Sequence, residues 1–318
     1  MRILLVKTSS LGDVIHNLPV VSDLLRTFPD AEIDWCVEES FAEIPRLHPG
    51  VREIFPVAIR RWRKVLAQRS TWQEISAFRK KLGRVQYDIV LDSQGLLKSA
   101  LIAWQARGVR CGYAAEAARE PWAARFYDFT FVIPRNIHAV ERNRWLAAAA
   151  LDYPVDLPLA YGIVAPDLAV SGLPEGRYAV LFSATSRDDK LWPEENWVAL
   201  AQALMQRGLT PLLPGGSPLE RARAERIAAR APGARLAPQL NLREMAGLIG
   251  RAALVVGVDT GLAHLAAALS VPVIALYITT DPALTGVYGS GFVRNLGAAG
   301  QSPGVDEVLR AVDQALRR

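Results

Sequence analysis

The order of short apolar runs and helical segments constrains the fold of this chain more than any other feature. Runs rich in β-branched residues alternate with segments of helical period in both halves of the sequence. This alternation predicts parallel sheets with helices on both faces. The runs are RILLV, AEIDWCV, VREIFPV, YDIVLDS and VRCGY in the first half, then YAVLFS, TPLLPGG, ARLAP, ALVVGVDTG and VPVIALY.

The alternation breaks once, at residues 151–176, where four prolines and three glycines interrupt it. Such a stretch is typical of an interdomain linker, and 318 residues are enough for two separate cores. The sequence therefore predicts an α/β protein of two doubly wound, Rossmann-like domains, residues 1–160 and 161–318, facing each other across a cleft. The final helix is free to pack back on the first domain.

The content of cysteine and histidine argues against a disulfide framework or a metal site. The chain has only Cys36 and Cys111, and its four histidines lack the spacing of metal ligands. Met1-Arg2 leads straight into the first strand, which does not resemble a signal peptide. Glycine, histidine, serine and proline interrupt the longest uncharged stretch, residues 260–280. We therefore expect a cytoplasmic protein with no transmembrane segment and no metal.

The net charge of +5 comes entirely from the first half of the chain. Residues 1–155 contain 22 Lys and Arg against 17 Asp and Glu, whereas the remainder has 15 of each. From Arg60 to Arg84 there are nine basic residues and one acid, Glu74, interleaved with Trp62 and Trp72. This segment indicates a partner with several negative charges, such as nucleic acid, a membrane surface or a phosphorylated substrate.

The first strand is followed by the polar turn KTSSLGD, residues 7–13, where an α/β protein usually binds its ligand. The turn lacks the GxGxxG pattern, and GxxxxGK[ST] occurs nowhere in the chain. Ser10 and Asp13 have the spacing of a capping box, in which the serine side chain accepts from the amide of Asp13. Alternatively, the positive end of the helix keeps Asp13 ionised and directed at a ligand as a general base. Both roles are compatible.

The best-marked turn of the second half lies in VVGVDTGLAHLAAAL. Asp259, Thr260 and Gly261 stand between a buried strand and a helix, and His264 lies one turn into that helix. The exposed amides of such a helix start bind phosphate, and glycine lets a ligand come close. The alternative is that Asp259 is a plain N-cap and His264 a core residue.

Two further turns of the second half suit a nucleotide diphosphate. SATSRDDKLW offers the hydroxyls of Thr185 and Ser186 and the cation of Lys190. LLPGGSPLER presents Glu220, a carboxylate suited to ribose hydroxyls. Glu220 is also explained as a favourable charge in the first turn of a helix.

Three blocks together resemble the lipopolysaccharide heptosyltransferases, and they occur in the expected order and at the expected separations. They are MRILLVKTSSLGDVIHNLPV, ATSRDDKLWPEENW and VVGVDTGLAHLAAAL. The first block favours the type I enzymes, which add the first heptose of the inner core, because the related second enzyme has a different polar turn there. The resemblance implies an inverting, metal-independent glycosyltransferase of the GT-B class that needs no cofactor.

The same resemblance implies the substrates and the residues that bind them. The C-terminal domain would bind the donor, ADP-L-glycero-β-D-manno-heptose, and the N-terminal domain would bind Kdo2-lipid A. Asp13 corresponds to the proposed base. The donor-binding positions are Thr185, Ser186, Lys190, Glu220, Leu240, Asp259, Thr260, Gly261 and His264, where Leu240 contacts adenine through its backbone and Ser186 replaces an expected threonine. The expected acceptor-binding residues are Ser10, Gly12, Arg60, Arg61, Arg63 and Lys64.

The Kdo carboxylates and lipid A phosphates of such an acceptor would account for the cationic first half. We accordingly expect a peripheral enzyme at the cytoplasmic face of the inner membrane, with the anionic membrane surface as a partner and no nucleic acid. Two alternatives remain open. One is the transfer of a later core heptose. The other is a basic nucleic-acid-binding protein with Trp62 and Trp72 as stacking platforms, which would leave the turns of the second domain unused.

Overall fold

The computed structural model describes residues 1–167, 172–185 and 187–317. The chain divides into two compact units, Met1–Ile163 and Val164–Arg318. The division lies three residues beyond the boundary expected from the sequence, inside the predicted linker. Part of that linker, residues 168–171, lies outside the described residues.

The first unit contains a parallel sheet with the strand order β3-β2-β1-β4-β5-β6. Its strands are β1 Arg2–Val6, β2 Glu32–Glu38, β3 Val51–Val57, β4 Gln86–Asp92, β5 Arg107–Tyr113 and β6 Phe129–Phe131. Its helices are α1 Leu11–Ile15, α2 Leu18–Thr27, α3 Glu43–Arg46, α4 Ile59–Trp62, α5 Arg69–Leu82, α6 Leu97–Ala103 and α7 Ala139–Leu151, with 3₁₀ turns at Glu39–Phe41 and Pro121–Phe126.

The second unit repeats this architecture with the order β12-β11-β10-β7-β8-β9, again parallel. Its strands are β7 Tyr178–Phe182, β8 Thr210–Leu213, β9 Arg235–Leu236, β10 Leu254–Val258, β11 Val273–Leu276 and β12 Val293–Leu296. Its helices are α8 Glu194–Gln206, α9 Pro218–Arg230, α10 Leu242–Gly250, α11 Gly261–Ala268, α12 Pro282–Thr285 and α13 Val305–Leu316, with a 3₁₀ turn at Asp188–Lys190.

Both sheets are buried on two faces, which explains why their central strands are continuous apolar runs. Residues 3–6 of β1 and all of β10 except its glycine are fully buried hydrophobics. In each sheet the first strand of the unit pairs with the fourth, so both have the Rossmann order. The predicted fold class, two doubly wound Rossmann-like α/β domains, is confirmed.

The apolar face of the last helix is buried in the second unit. Val308, Ala311, Val312 and Ala315 of α13 belong to the same core cluster as strands β10 and β11. The expectation that the final helix can pack back on the first domain stays a prediction.

Candidate active site

The strand order reverses at one point in each sheet, between β1 and β4 and between β7 and β10. From such a point the connections leave in opposite directions, and a crevice opens at the carboxyl ends of the two strands. Asp13 follows β1, Lys190 follows β7, and Asp259 follows β10. The predicted site residues therefore lie at the position where each Rossmann-like unit binds its ligand.

Gln94, just beyond β4, holds the turn that follows β1. Its side-chain oxygen accepts from the backbone amides of Thr8, at 2.7 Å, and Ser9, at 3.1 Å. Its side-chain amide donates to the carbonyl of Ser9. All three residues are buried. The start of α1 is thus fixed by the neighbouring strand, and no sequence pattern indicated this contact.

The carboxylate of Asp13 has partners from two parts of the first unit. The backbone amide and the hydroxyl of Ser10, the N-cap of α1, donate to Oδ2 at 2.8 and 3.1 Å. Arg119 donates to Oδ1 at 2.9 Å. The predicted capping box is therefore present, and the serine hydroxyl makes a further bond to the same carboxylate. Gly12 lies beside them in the first turn of the helix.

The electrostatic surroundings keep Asp13 ionised. Burial alone would raise the pKa of this carboxyl, but the charges of Lys7 and Arg119 and the bond from the Ser10 amide outweigh it and lower the pKa. The sequence attributed this effect to the end of the helix, yet α1 has only five residues. Neighbouring cations are the main cause, and they leave Asp13 as a carboxylate that can accept a proton.

Lys7 is a buried cation that the sequence analysis did not single out. Its Nζ donates to the carbonyl of Ser93 at 2.6 Å and to Oδ1 of Asn143 at 3.1 Å. Burial lowers the pKa of Lys7 to about 8, although the charge of Asp13 opposes this shift. Lys7, Asp13, Arg119 and Arg142 line one cavity. This cavity therefore combines one carboxylate with several cations and suits an anionic ligand.

The buried lysine gives a test of this electrostatic arrangement. The pKa of Lys7 is about 8 in the folded protein, whereas an ordinary lysine, as in the unfolded chain, has a pKa of 10.5. Between these two pH values the unfolded chain therefore binds more protons than the folded protein. The free energy of unfolding should therefore rise with pH in this window. Between about pH 7.5 and 9.5, urea titrations should show a rise roughly 2 kcal/mol larger in the parent than in Lys7→Met.

Lys80→Met, at an exposed position of α5, is the matched control and should follow the parent curve. If the free energy of unfolding changed with pH equally in the parent and in Lys7→Met, the pKa of Lys7 would not be lowered by burial.

The basic segment predicted to bind the acceptor is a four-residue helix, α4, and the turn after it. Arg60 and Arg61 lie in α4, Arg63 is its C-cap, and Lys64 follows. All four side chains are exposed. The guanidinium of Arg60 stacks over the ring of Phe41 at 5.0 Å. The segment therefore presents its cations from a short helix and the turn that follows it.

Arg61 differs from the other cations of this segment. Its guanidinium donates to both carboxylate oxygens of Glu39, at 3.0 and 3.1 Å, and to Glu74. These two acids raise the pKa of Arg61 and neutralise it locally. The sequence grouped Arg61 with the acceptor-binding residues, whereas the structure shows it fastening α4 to its neighbours.

Lys98 connects the basic segment to the turn of Asp13. Its Nζ donates to the hydroxyl of Ser9 at 2.8 Å. Burial lowers the pKa of Lys98, and the charges of Arg60 and Arg63 lower it further. The cations of α4 and α6 therefore contribute to one positive region beside Ser9. No motif indicated Lys98, because its role depends on a contact between residues 89 positions apart.

In the second unit, Asp259 joins two other predicted donor positions and Thr280, which the sequence did not indicate. Its Oδ2 accepts from Nζ of Lys190 at 2.6 Å and from the hydroxyl of Thr280 at 3.0 Å. Its backbone carbonyl accepts from the hydroxyl of Thr185 at 3.1 Å. The turns after β7 and β10 are therefore tied together. The simpler alternative placed Asp259 at the N-cap of the next helix. The N-cap is Thr260 instead.

The helix α11 begins at Gly261, directly after these contacts. Its first amides have no partner within the helix, and together with the helix dipole they favour a phosphate. His264 lies one turn further and is buried. Lys190 stands at the same end of the sheet, joined to the turn through Asp259. The arrangement thus offers a cation and free amides to a diphosphate.

A pocket of about 440 Å³ extends this site towards α9, and its lining includes Thr185, Ser217, Glu220 and Arg223. The Glu220 carboxylate accepts from the amides of Gly216 and Ser217 at 2.9 and 3.0 Å. This is the favourable first-turn role that the sequence left open. Arg223, which the sequence analysis missed, donates to the carbonyls of Ser183 and Trp192 and holds the loop between them.

Two further donor positions were predicted from the sequence. Leu240 is half-buried in the loop between β9 and α10. Ser186 lies outside the described residues.

Two structural features are absent from the described part of the chain. No helix within residues 1–167, 172–185 and 187–317 is long and apolar enough to cross a membrane. In the same ranges, no group of three or more His, Cys, Asp and Glu side chains has the arrangement of a metal site.

Two Rossmann-like units, one with an ionised carboxylate among cations and the other with a turn suited to a nucleotide diphosphate, have the architecture and the polar groups that a glycosyltransferase needs. Comparison with known proteins makes the assignment specific. The sequence model of glycosyltransferase family 9 (heptosyltransferase) matches residues 75–310. The chain belongs to this family, and the resemblance stated from its sequence blocks is confirmed.

Individual relatives cover nearly the whole chain. It is 47% identical to lipopolysaccharide heptosyltransferase 1 of Pseudomonas aeruginosa over 91% of this chain and 82% of that protein. The solved structure of E. coli heptosyltransferase WaaC with ADP is similar, with a TM-score of 0.92 and 41% identity. The match covers 99% of this chain and 100% of the WaaC chain. The structure of WaaC with ADP-2-deoxy-2-fluoro heptose has a TM-score of 0.87 and 42% identity, and the match covers 100% of this chain and 99% of that chain. Lipopolysaccharide heptosyltransferase 3 of E. coli is 26% identical over 85% of this chain and 80% of its own length.

Proposed function

We propose that this protein transfers L-glycero-D-manno-heptose from ADP-L-glycero-β-D-manno-heptose to the Kdo of Kdo2-lipid A, with inversion at the anomeric carbon. The observation that carries the proposal is the ionised carboxylate of Asp13 within a cationic cavity. In an inverting displacement, a base takes the proton of the acceptor hydroxyl while its oxygen attacks the anomeric carbon. The bond from that carbon to the diphosphate breaks, and ADP leaves with the electron pair.

The second unit supplies the residues for the donor. Lys190 and the amides at the start of α11 stabilise the diphosphate as its negative charge grows. This stabilisation requires no metal ion in the proposed mechanism. The remaining donor contacts are assigned to Thr185, Ser186, Glu220, Leu240, Asp259, Thr260, Gly261 and His264. The solved WaaC complexes with ADP and with a fluorinated ADP-heptose support a nucleotide-sugar donor.

The first unit supplies the cations for the acceptor. Arg60, Arg63 and Lys64 are exposed, and the charges of Arg60 and Arg63 act on Lys98 beside the turn of Asp13. Kdo carboxylates and lipid A phosphates are suitable partners for this group, with Ser10 and Gly12 at the same turn. Arg61 is engaged by two carboxylates, so we assign it to holding α4 in place.

The addition of a later core heptose is the closer alternative within enzymes. The identity of 47% to a lipopolysaccharide heptosyltransferase 1, against 26% to a heptosyltransferase 3, favours the first heptose.

A nucleic-acid-binding protein is the alternative from another class, and one contact argues against it. The indole N–H of Trp62 donates to Glu74 at 2.8 Å, and its half-buried ring packs on Phe78. This ring is therefore part of the local structure and is not a free stacking platform, whereas the ring of Trp72, the other predicted platform, is exposed.

The proposed acceptor is a lipid, and this supports a peripheral enzyme at the cytoplasmic face of the inner membrane. The basic first unit is consistent with an anionic membrane surface as a partner.

The direct test is incubation of the protein with ADP-heptose and de-acylated Kdo2-lipid A. We expect release of ADP and a product larger by one heptose, with an α linkage by NMR. Activity should persist in EDTA. ADP release that did not require the acceptor, or transfer only to acceptors that already carry heptose, would contradict the proposal. Loss of activity in EDTA with recovery in Mg²⁺ would contradict the metal-free account.

The basic segment gives a more specific prediction. Replacing Arg60 and Arg63 with alanine should raise the acceptor KM about tenfold, because each removes a cation from the group around Lys98. Donor affinity should stay within twofold, since both residues lie in the first unit. Added salt should raise the acceptor KM of the parent more than that of the double variant.

Arg61→Ala is the matched control for this experiment. Because two carboxylates already occupy this guanidinium, we expect a smaller change in the acceptor KM than for the double variant. If neither the double substitution nor added salt changed the acceptor KM, the basic segment would be a solvated surface with no role in acceptor binding.

A further inference from the structure

The outer sides of α5 and α6 form a surface that the proposed chemistry does not use. Trp72 on α5 and Trp104, just after α6, are 58% and 55% exposed. A groove of about 530 Å³ lies between them, and its lining includes Ile75, Arg79 and Lys80. Single exposed apolar residues are common, but a contiguous group with a groove marks an interaction surface.

The spacing of the exposed apolar residues shows that they form a continuous stripe. Leu97, Leu101 and Trp104 are four and three residues apart, so they share one side of α6, and all three are exposed. The opposite side of α6 is buried through Ala100 and Ala103. We call the combined surface of Trp72, Ile75, Arg79, Lys80, Leu97, Leu101 and Trp104 the α5–α6 face.

The chemistry of the α5–α6 face suits a lipid bilayer with anionic headgroups. The indole N–H of Trp72 donates to the carbonyl of Leu66 at 2.8 Å, so its polar group is satisfied while the ring remains exposed. Trp side chains with adjacent Lys and Arg are typical of proteins that lie at the membrane interface. Arg79 and Lys80 flank the groove and are exposed. Lysine is depleted in the core of protein–protein interfaces, which favours lipid over a protein partner.

The position of α6 connects this face to the proposed acceptor site. Lys98 lies in the first turn of α6, and its Nζ contacts the hydroxyl of Ser9 at 2.8 Å, beside the turn of Asp13. Trp104 follows the last turn of the same helix. A helix of seven residues is about 10 Å long, so the α5–α6 face runs from beside the acceptor turn, at Leu97, to Trp104 at roughly the length of α6 from it.

We propose that the α5–α6 face docks the enzyme on an anionic bilayer, with Trp72 and Trp104 at the level of the headgroups and Arg79 and Lys80 against lipid phosphates. The link to the acceptor rests on the proposed function, because docking would bring Asp13 to a substrate that is anchored in the membrane. The binding of lipid itself does not depend on that function.

The test compares vesicle binding by the full-length protein and its variants in sedimentation assays. The parent should bind vesicles of phosphatidylethanolamine and phosphatidylglycerol, and bind phosphatidylcholine vesicles far less. The double variant Trp72→Ala/Trp104→Ala should lose about tenfold in vesicle affinity, and Arg79→Ala/Lys80→Ala a similar factor. Trp145→Ala, which removes an exposed tryptophan from α7, is the matched control and should bind like the parent.

A second measurement separates docking from catalysis. All these variants should transfer heptose to de-acylated Kdo2-lipid A in solution at the parent rate, which also shows that they are folded. With intact Kdo2-lipid A in vesicles, the Trp72/Trp104 double variant should be about tenfold slower. If the parent bound anionic vesicles through this face but transferred no heptose to either acceptor, the docking proposal would stand and the proposed function would fail.

Equal vesicle binding by the parent and both double variants would overturn the docking proposal. Failure of the parent to bind anionic vesicles would also overturn it, and would leave a protein partner as the occupant of the face.

Discussion

Asp13→Asn should lower the turnover number of heptose transfer by about 10²–10⁴, the usual contribution of a positioned general base. The substitution keeps the size of the side chain and its ability to accept from the Ser10 amide. It removes the negative charge, and with it the proton acceptor and the ion pair to Arg119. Steady-state kinetics with a de-acylated acceptor should show the loss in kcat.

The affinity for ADP-heptose should change little in this variant, because the proposed donor residues lie in the second unit. Asp128→Asn is the matched control, since it removes the carboxylate from another Arg–Asp pair of the first unit. It should leave turnover within about twofold, the usual range for an exposed ion pair. A near-parent turnover for Asp13→Asn would leave this residue as a helix cap.

Lys190→Ala should reduce kcat/KM by about 10²–10³, comparable to the loss of one donor that stabilises a developing negative charge. Two effects add up in this variant. The diphosphate loses a cation, and the carboxylate of Asp259 loses its ion pair and then repels the ligand. ADP affinity, measured by calorimetry, should therefore fall together with turnover.

The double variant Lys190→Ala/Asp259→Asn tests this explanation directly. If part of the loss comes from the unpaired carboxylate, neutralising that carboxylate should recover roughly tenfold in ADP affinity, within the usual coupling of contacting residues. Arg207→Ala, which breaks the Arg207–Asp313 pair of the same unit, is the control and should bind ADP like the parent. A double variant that bound ADP no better than Lys190→Ala would show that the unpaired carboxylate of Asp259 is not a cause of the loss.

The elements that could be predicted from the sequence are those with strong local signals. Buried parallel strands are continuous apolar runs, so all the central strands were found. The turns after β1, β7 and β10 are polar, and those after β1 and β10 also contain a glycine, as ligand-binding turns at these positions often do. The edge strands β6 and β12 were missed because they are short and only partly buried.

The surroundings of the candidate base could not be predicted, because they come from distant parts of the chain. Arg119 is 106 residues from Asp13, and Asn143 is 136 residues from Lys7. The engagement of Arg61 by Glu39 and Glu74 is equally invisible in a run of basic residues. Only the packing of α4 and α5 decides which cations of that run remain available.

The cations around Asp13 also bear on a wasteful side reaction, the hydrolysis of the donor by water. The charges of Lys7 and Arg119 lower the pKa of this carboxyl and so make the carboxylate a weak base. A poorly basic carboxylate activates water slowly, which spares the sugar nucleotide. An arriving acceptor with carboxylates of its own offsets the positive potential, and the basicity of Asp13 then increases. We therefore expect the enzyme to cleave the sugar nucleotide mainly when the acceptor hydroxyl is in place, and only slowly with water.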